Sequence, residues 1–246
     1  MKGVILAGGL ATRLRPLTLV TNKHLLPVYN KPMIYYPIEA LAKAGVKEIL
    51  LTSSPDHAGH FANLLKAGED FGVKLYYAVQ KNPKGGIADA MFLAEEFAKG
   101  QRIVVVLGDN IFNFDLKSAI KEFEAMDKGA IVFGVKMPTQ SQQYGVIERD
   151  ENGNVISIEE KPEKPKSDIA QTGIYMYDER VFEFIRKLKP SDREELEVTD
   201  LNNFYVQEGS LKCHLINWWI DAGTSHDELL RANNLVAEKV KNGELK

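Results

Sequence analysis

The chain has 246 residues, of which 44% are hydrophobic and 26% charged, and its formal net charge is −3. This composition is ordinary for a globular protein, and its mild acidity speaks against broad binding to nucleic acid. No apolar run approaches the roughly 20 residues of a membrane span, the N-terminus lacks a signal-peptide pattern, and a single cysteine, Cys213, forms no internal disulfide. We therefore expect a cytoplasmic protein without a membrane partner.

The first half of the chain alternates short β-rich runs with helical patterns. We predict strands over residues 2–7, 47–53, 73–79, 102–107 and 130–136, and helices over 33–44, 56–66, 87–98 and 116–126. Asp56 is a candidate cap for the second helix. The run 102–107 is apolar on both faces after its first residue, which is typical of a central parallel strand. The alternation predicts an α/β fold, with one Rossmann-like, mostly parallel sheet flanked by helices.

The pattern changes after about residue 138. Strands over 144–149 and 155–160 flank Asn152-Gly153, a strong hairpin signal. Further strands are predicted over 169–177 and 211–216, and helices over 179–188, 198–207 and 224–241. We interpret residues 1–246 as a single domain with a first half at 1–137 and a second half at 138–246. The second half adds a β-rich insertion and a long terminal helix.

The first candidate site is the loop that follows the first strand. It opens with Gly8-Gly9 and carries Arg13 and Arg15, within a 38-residue stretch that has five basic and no acidic side chains. Glycine lets backbone N–H groups approach phosphate oxygens, and arginine adds charge-assisted hydrogen bonds. The spacing fits neither the dinucleotide-binding fingerprint nor the Walker loop. We interpret the loop as a polyphosphate site to which Lys23 adds a cation; a purely structural turn is the alternative.

Two aspartates follow predicted strands. Asp109 comes directly after the central strand, and Asp221 follows another apolar run just before the terminal helix. Ligands of open α/β sheets bind at the carboxyl ends of strands, and Mg²⁺ binds one or two carboxylates together with substrate phosphates. We expect a shared Mg²⁺ site, the alternative being two turn residues at helix starts. Glu160 and Lys161 end a strand and are candidates for sugar hydroxyls and a phosphate; an exposed strand end is the alternative.

Six motifs in a fixed order carry a resemblance to a known family. They are the glycine loop 8–16, Asn-Lys-His-Leu-Leu-Pro-Val at 22–28, Gly-Asp-Asn at 108–110, Glu-Glu-Lys-Pro at 159–162, Leu-Glu-Val-Thr-Asp at 196–200 and Asp-Ala-Gly-Thr at 221–224. Together they resemble the sugar-nucleotide pyrophosphorylases, most nearly the short glucose-1-phosphate thymidylyltransferases. The resemblance extends over essentially the whole chain.

The resemblance implies an activity and its partners. The reaction would join dTTP and glucose 1-phosphate into dTDP-glucose and pyrophosphate with Mg²⁺; an enzyme that uses UTP or another nucleoside triphosphate is the alternative. The first half would bind the nucleotide and the second half the sugar phosphate, in a homo-oligomer, dimer or tetramer, without nucleic acid. A non-catalytic nucleotide sensor and a nicotinamide-dependent oxidoreductase are rivals from other classes, and the missing third glycine disfavours the second.

The resemblance also implies site residues. The nucleotide would contact Leu6, Gly8, Gly9, Arg13, Lys23, Gln80, Gly86 and Asp109. The sugar phosphate would contact Asn110, Tyr144, Gly145, Glu160, Lys161, Thr172 and Gly173. Arg13, Lys23, Asp109 and Lys161 would be catalytic, and Asp109 and Asp221 would hold Mg²⁺. The chain departs from the family at Ala11, where glycine is common, at Asp89, where glutamine is usual, and at Glu194, which stands in place of a glycine.

Overall fold

A computed structural model describes residues 1–82, 84–137 and 141–245. The strands are β1 (Lys2–Ala7), β2 (Pro27–Val28), β3 (Lys31–Pro32), β4 (Glu48–Ser53), β5 (Lys74–Val79), β6 (Ile103–Leu107), β7 (Asn110–Phe112), β8 (Ala130–Lys136), β9 (Gly145–Arg149), β10 (Val155–Glu160), β11 (Ile169–Tyr177), β12 (Leu211–Leu215) and β13 (Trp219–Asp221). The α-helices are α1 (Tyr35–Lys43), α2 (Ala58–Leu65), α3 (Gly86–Phe92), α4 (Glu95–Ala98), α5 (Leu116–Ala125), α6 (Val181–Ile185), α7 (Val198–Gln207) and α8 (His226–Lys241). The predicted start of the second half, residue 138, lies outside the described residues.

Strands from both halves of the chain form one sheet of nine strands within the described residues. Its main path runs β10-β9-β11-β6-β1-β4-β5, and β8 joins it beside β11 and pairs in turn with β12. The strands β6, β1, β4 and β5 are all parallel, whereas β9, β10 and β11 pair antiparallel. The predicted α/β class is confirmed, with β6 in the middle of the sheet.

Helices cover both faces of this sheet because neighbouring residues of the central strands point to opposite sides. Val104 packs with α1, α2 and α5 in one buried cluster, and Val105 packs with α3, α6 and α7 in another. Both side chains are fully buried. The apolar run at 102–107 therefore reflects burial of this strand on both sides.

The helices predicted over 56–66, 87–98 and 179–188 are among those that differ from the observed ones. The helix predicted over 56–66 begins only at Ala58, because a 3-10 turn at Pro55–His57 precedes it; His57, not Asp56, occupies the cap position. The helix predicted over 87–98 is two helices, since the Ala94 N–H bonds to the Met91 carbonyl three residues back and tightens the chain there. The helix predicted over 179–188 is confined to α6.

The short pair β7–β13 was not predicted, because three-residue strands are too short to show a periodic pattern. Its register sets Asp221 opposite Asn110 and Trp219 opposite Phe112. The pair thus joins the residues that follow the central strand to those that precede the terminal helix. No helix in the described part of the chain combines the length and apolarity needed to cross a membrane.

A buried carboxylate ties three elements of the second half together. Asp178, 1% exposed, follows β11 and accepts hydrogen bonds from the Gly129 N–H at 2.7 Å, the Tyr205 hydroxyl at 3.0 Å and Arg180 Nη2 at 2.8 Å. Gly129 precedes β8, Tyr205 lies on α7, and Arg180 precedes α6. Charge-assisted bonds of this kind offset the cost of burying the carboxylate.

Replacement of this carboxylate is expected to destabilise the fold. Asp178→Ala removes the acceptor of the Gly129 N–H and the Tyr205 hydroxyl and leaves the Arg180 side chain with Glu208 alone. We therefore expect the free energy of unfolding to fall by about 3–5 kcal/mol in urea denaturation. Glu208→Ala removes only the more exposed partner of Arg180 and should cost less than about 1 kcal/mol. Equal costs for the two variants would contradict this role of Asp178.

Candidate active site

The carboxyl ends of the parallel strands bring the candidate residues to one edge of the sheet. Gly8 follows β1, Gln80 follows β5, and Asp109 follows β6. The backbone N–H of Gln80 anchors this residue there, because it donates to the Ser53 carbonyl at the end of β4 at 2.8 Å. Loops after adjacent parallel strands form the ligand crevice of open α/β sheets.

Two cavities adjoin at this edge. The glycine-loop cavity, about 270 Å³, is lined by Leu6, Gly8, Gly9, Lys23, His24, Gln80, Gly86, Ile87, Ala90, Leu107, Asp109, Glu195 and Asp221. The hairpin cavity, about 200 Å³, has among its lining residues Arg13, Asn110, Tyr144, Gly145, Glu160, Lys161, Thr172, Gly173 and Asp221. Every residue proposed for the nucleotide except Arg13 lies in the first, and every residue proposed for the sugar phosphate lies in the second. The two cavities lie side by side, because they share four lining residues: Ile87, Leu107, Glu195 and Asp221.

Lys23 and Asp109 form a buried ion pair at the floor of the glycine-loop cavity. Lys23 Nζ donates to Asp109 Oδ2, and the two side chains are only 20% and 7% exposed. Burial alone would raise the pKa of Asp109, but the adjacent ammonium lowers this pKa below its usual value. Burial would likewise lower the pKa of Lys23, yet the Asp109 and Asp221 carboxylates raise it. Both partners are therefore charged near neutral pH.

Asp221 lies beside this pair. The Ala222 N–H donates to the Asp109 carbonyl at 2.9 Å, which holds the ends of β6 and β13 together. Burial, followed by the negative charge of Asp109, raises the pKa of Asp221 to about 7. Two neighbouring carboxylates that resist simultaneous ionisation fit a divalent cation, which would compensate both charges. Among the described residues, no group of three His, Cys, Asp or Glu could hold a metal ion; Mg²⁺ usually needs only one or two carboxylates together with substrate phosphates and water.

Asn110 connects the two cavities through its side chain. Its Oδ1 accepts from the Gly173 N–H at 2.8 Å and from Trp219 Nε1 at 2.6 Å, and its Nδ2 donates to Asp109 Oδ1 at 3.0 Å. A Cβ added to Gly173 would lie 2.4 Å from Asn110 Oδ1, so glycine permits this close approach. The amide predicted to contact the sugar phosphate is thus engaged in positioning Asp109 and β11.

Polar groups of the hairpin cavity converge on Glu160. Its Oε2 accepts from the Thr199 hydroxyl at 2.7 Å, and its Oε1 accepts from Arg193 Nη2 at 3.2 Å. Lys161 Nζ lies 3.6 Å from the same Oε1 and is 42% exposed. Tyr144 packs edge-to-face on Trp219, and burial raises its pKa to about 12, so the phenol stays neutral.

Several lining residues were not predicted to be functional. Arg193, Glu195 and Glu197 line the hairpin cavity from an irregular segment before α7, and no periodic pattern marks them. His24 also lines the glycine-loop cavity. Burial and the charge of Lys23 lower its pKa to about 3, so it is neutral, and Nδ1 lies 2.6 Å from Asn22 Oδ1.

Two departures from the family pattern fall where glycine is favoured. Ala11 has φ of +47° and Glu194 has φ of +60°, both in the left-handed region that side chains with a Cβ disfavour. Ala11 belongs to the glycine loop, and Glu194 adjoins the two cavity residues Arg193 and Glu195. Ala11 and Glu194 therefore adopt the left-handed backbone conformation that glycine adopts more easily.

Most of the chain matches one known protein family in both sequence and structure. Residues 2–239 match the nucleotidyl transferase family. The curated glucose-1-phosphate thymidylyltransferase of Neisseria gonorrhoeae is 47% identical over 91% of this chain and 78% of its own length, and that of Mycobacterium tuberculosis is 42% identical over 96% and 82%. A solved structure from Bacillus anthracis, assigned to the same enzyme and containing sucrose, is 46% identical, with a TM-score of 0.90 over 96% of this chain and 94% of that one. A UDP-glucose pyrophosphorylase bound to UDP-glucose shares the fold, at 23% identity and a TM-score of 0.84 over 97% of this chain and 98% of that one.

The position of Asp221 predicts a pH-dependent stability difference. Without divalent ions, the unfolded residue ionises near pH 4 whereas the folded one keeps its proton until about pH 7. Raising the pH across this window should therefore destabilise the wild type relative to Asp221→Asn by on the order of 1 kcal/mol per pH unit, and the difference should level off above pH 7. Urea denaturation of both proteins across this range measures it. A difference that does not change with pH would contradict the raised pKa.

Proposed function

Because the chain belongs to the nucleotidyl transferase family, we infer that it is a glucose-1-phosphate thymidylyltransferase. It condenses dTTP with glucose 1-phosphate, forms dTDP-glucose and releases pyrophosphate. The strongest structural support is the meeting of two cavities at Asp221, beside the Lys23–Asp109 pair. Such an arrangement suits two phosphate-bearing substrates that must react at their point of contact.

The chemistry needs positioning and charge compensation more than proton transfer. A phosphate oxygen of glucose 1-phosphate attacks the α-phosphorus of dTTP, the α–β phosphoanhydride bond breaks, and pyrophosphate leaves with the electron pair. The attacking oxygen is already anionic near neutral pH, so no general base is required. The barrier comes from the approach of two anions, which fixed cations and orientation lower.

Three cations support this chemistry. We assign Lys23 and Arg13 to the phosphates of dTTP, where they would offset the charge that grows on the departing pyrophosphate. Lys161, partly exposed and 3.6 Å from Glu160, is suited to the phosphate of the sugar. In this assignment Asp109 keeps the Lys23 ammonium in place before the substrates arrive.

The remaining residues are assigned to the two ends of the substrates. Gly8 and Gly9 would present backbone N–H groups to the triphosphate, with Leu6, Gln80 and Gly86 around the base. Tyr144, Gly145, Glu160, Thr172 and Gly173 line the space that we assign to the hexose. A carboxylate such as Glu160 accepts hydrogen bonds from sugar hydroxyls.

We further propose that Asp109 and Asp221 hold Mg²⁺. The support is their proximity, the burial of Asp109, the partial burial of Asp221 and its raised pKa, which together favour a cation at this point. When bound, the ion supplies positive charge that polarises a phosphoryl oxygen. The single ammonium of Lys23 faces two carboxylates, and the pKa of Asp221 stays raised beside it, so the pair has room for an additional positive charge.

We also propose that the protein works in the cytoplasm as a homo-oligomer, a dimer or a tetramer. The exposed apolar side chains of Leu19, Val20 and Leu230, which are 63%, 81% and 62% exposed, supply surface that a second copy would cover. Sedimentation of the purified protein measures the oligomeric state.

Pyrophosphate release tests the proposed function directly. The assay crosses dTTP, UTP, CTP, ATP and GTP with the 1-phosphates of glucose, galactose and mannose, with and without Mg²⁺. We expect the highest kcat/KM for dTTP with glucose 1-phosphate, and no appreciable release without the ion. Failure to release pyrophosphate from any pair, or a preference for a purine nucleotide, would contradict the proposal.

Lys23 can be tested against a matched lysine elsewhere. Lys23→Ala removes a cation next to the reacting phosphates, so kcat should fall by about 100-fold or more. Lys47→Ala changes an exposed lysine outside both cavities and should leave kcat unaltered. Circular dichroism checks that the fold persists, and near-normal turnover of the Lys23 variant would remove Lys23 from the mechanism.

A further inference from the structure

The side-chain amide of Gln80 is held in one orientation. Gln80 is 4% exposed, and its Nε2 donates to Asp89 Oδ2 at 2.9 Å and to the Gly86 carbonyl at 3.4 Å. A carboxylate and a carbonyl only accept hydrogen bonds, so the nitrogen of the amide must face them. The stronger of the two acceptors, the Asp89 carboxylate, therefore decides which way the amide points.

The amide oxygen consequently faces the other way, over the glycine loop. A Cβ added to Gly8 would lie 2.6 Å from Gln80 Oε1, so the glycine leaves the space that this oxygen occupies. Gly8, Gln80 and Gly86 line the same cavity. In the described part of the chain, no protein donor bonds to this oxygen, which leaves its hydrogen-bonding capacity to a ligand.

A fixed acceptor at this place distinguishes pyrimidine bases. Thymine and uracil carry an N3–H between two carbonyls and can donate to it. Cytosine has an unprotonated N3, which is itself an acceptor and would leave both groups unpaired in a buried site. Sites built around one hydrogen bond reject analogues that lack the matching group.

We propose that Asp89 is a specificity-determining positioning residue: it holds the Gln80 amide with its oxygen toward the base and so selects thymine and uracil over cytosine. Asp89 acts through Gln80 and does not itself contact the base. The inference rests on the proposed function, because it specifies how the nucleotide of that reaction is chosen.

The test compares kcat/KM for dUTP and dCTP with glucose 1-phosphate. These nucleotides share their sugar and phosphates and differ only along one base edge. We expect wild type to favour dUTP. Asp89→Asn can offer Gln80 either an oxygen or a nitrogen, which frees the amide to turn, so the dUTP/dCTP ratio should fall roughly tenfold. Asp89→Glu keeps an acceptor-only carboxylate and should retain the ratio. The exposed Asp70→Asn is the matched control.

The possible outcomes separate cleanly. A merely structural role for Asp89 would lower both kcat/KM values in proportion, and an unchanged ratio in a folded Asp89→Asn would overturn the proposal. Wild type alone also tests it: equal use of dUTP and dCTP, or undiminished use of N3-methyl-dTTP, would refute an acceptor facing the base even if the variants did not fold. Absence of pyrophosphate release from wild type with dTTP would instead refute the proposed function.

Discussion

The buried pair of Lys23 and Asp109 is the interaction on which the site depends. Burying either charge without the other would be costly, and together they set a cation directly at the carboxyl end of the central strand. Their mutual compensation leaves Asp221 as the carboxylate that tends to keep a proton, since its pKa is raised to about 7. The site is thereby prepared for further positive charge and for anionic substrates.

The sheet places these groups together from distant parts of the chain. Lys23 comes from the loop after β1, Asp109 follows β6, and Asp221 ends β13, whose pairing with β7 fixes its distance from the central strand. Asn110 completes the arrangement, because one side chain bonds to Asp109, to β11 and to Trp219. The antiparallel hairpin β9–β10 then brings Glu160 to the other cavity, where a second substrate fits.

Long elements with strong patterns could be predicted from the sequence, and contacts between distant residues could not. The apolar run at 102–107 indicated the central strand, because a strand that is buried on both faces is apolar at almost every position. The β7–β13 pair, the hub at Asn110 and the Arg193–Glu160 contact depend on residues 33 to 111 positions apart and carry no local signal. Asp89 stood out only as a departure from a family pattern; its bond to Gln80 required the folded chain.

A crystal structure of the protein with dTDP-glucose and Mg²⁺ would test the roles of Lys23, Asp109 and Asp221 most directly. We expect one arrangement: the diphosphate next to Lys23, Asp109 and Asp221, the thymine in the glycine-loop cavity and the glucose in the hairpin cavity. A diphosphate bound away from the two aspartates, or a base and sugar in exchanged cavities, would contradict it.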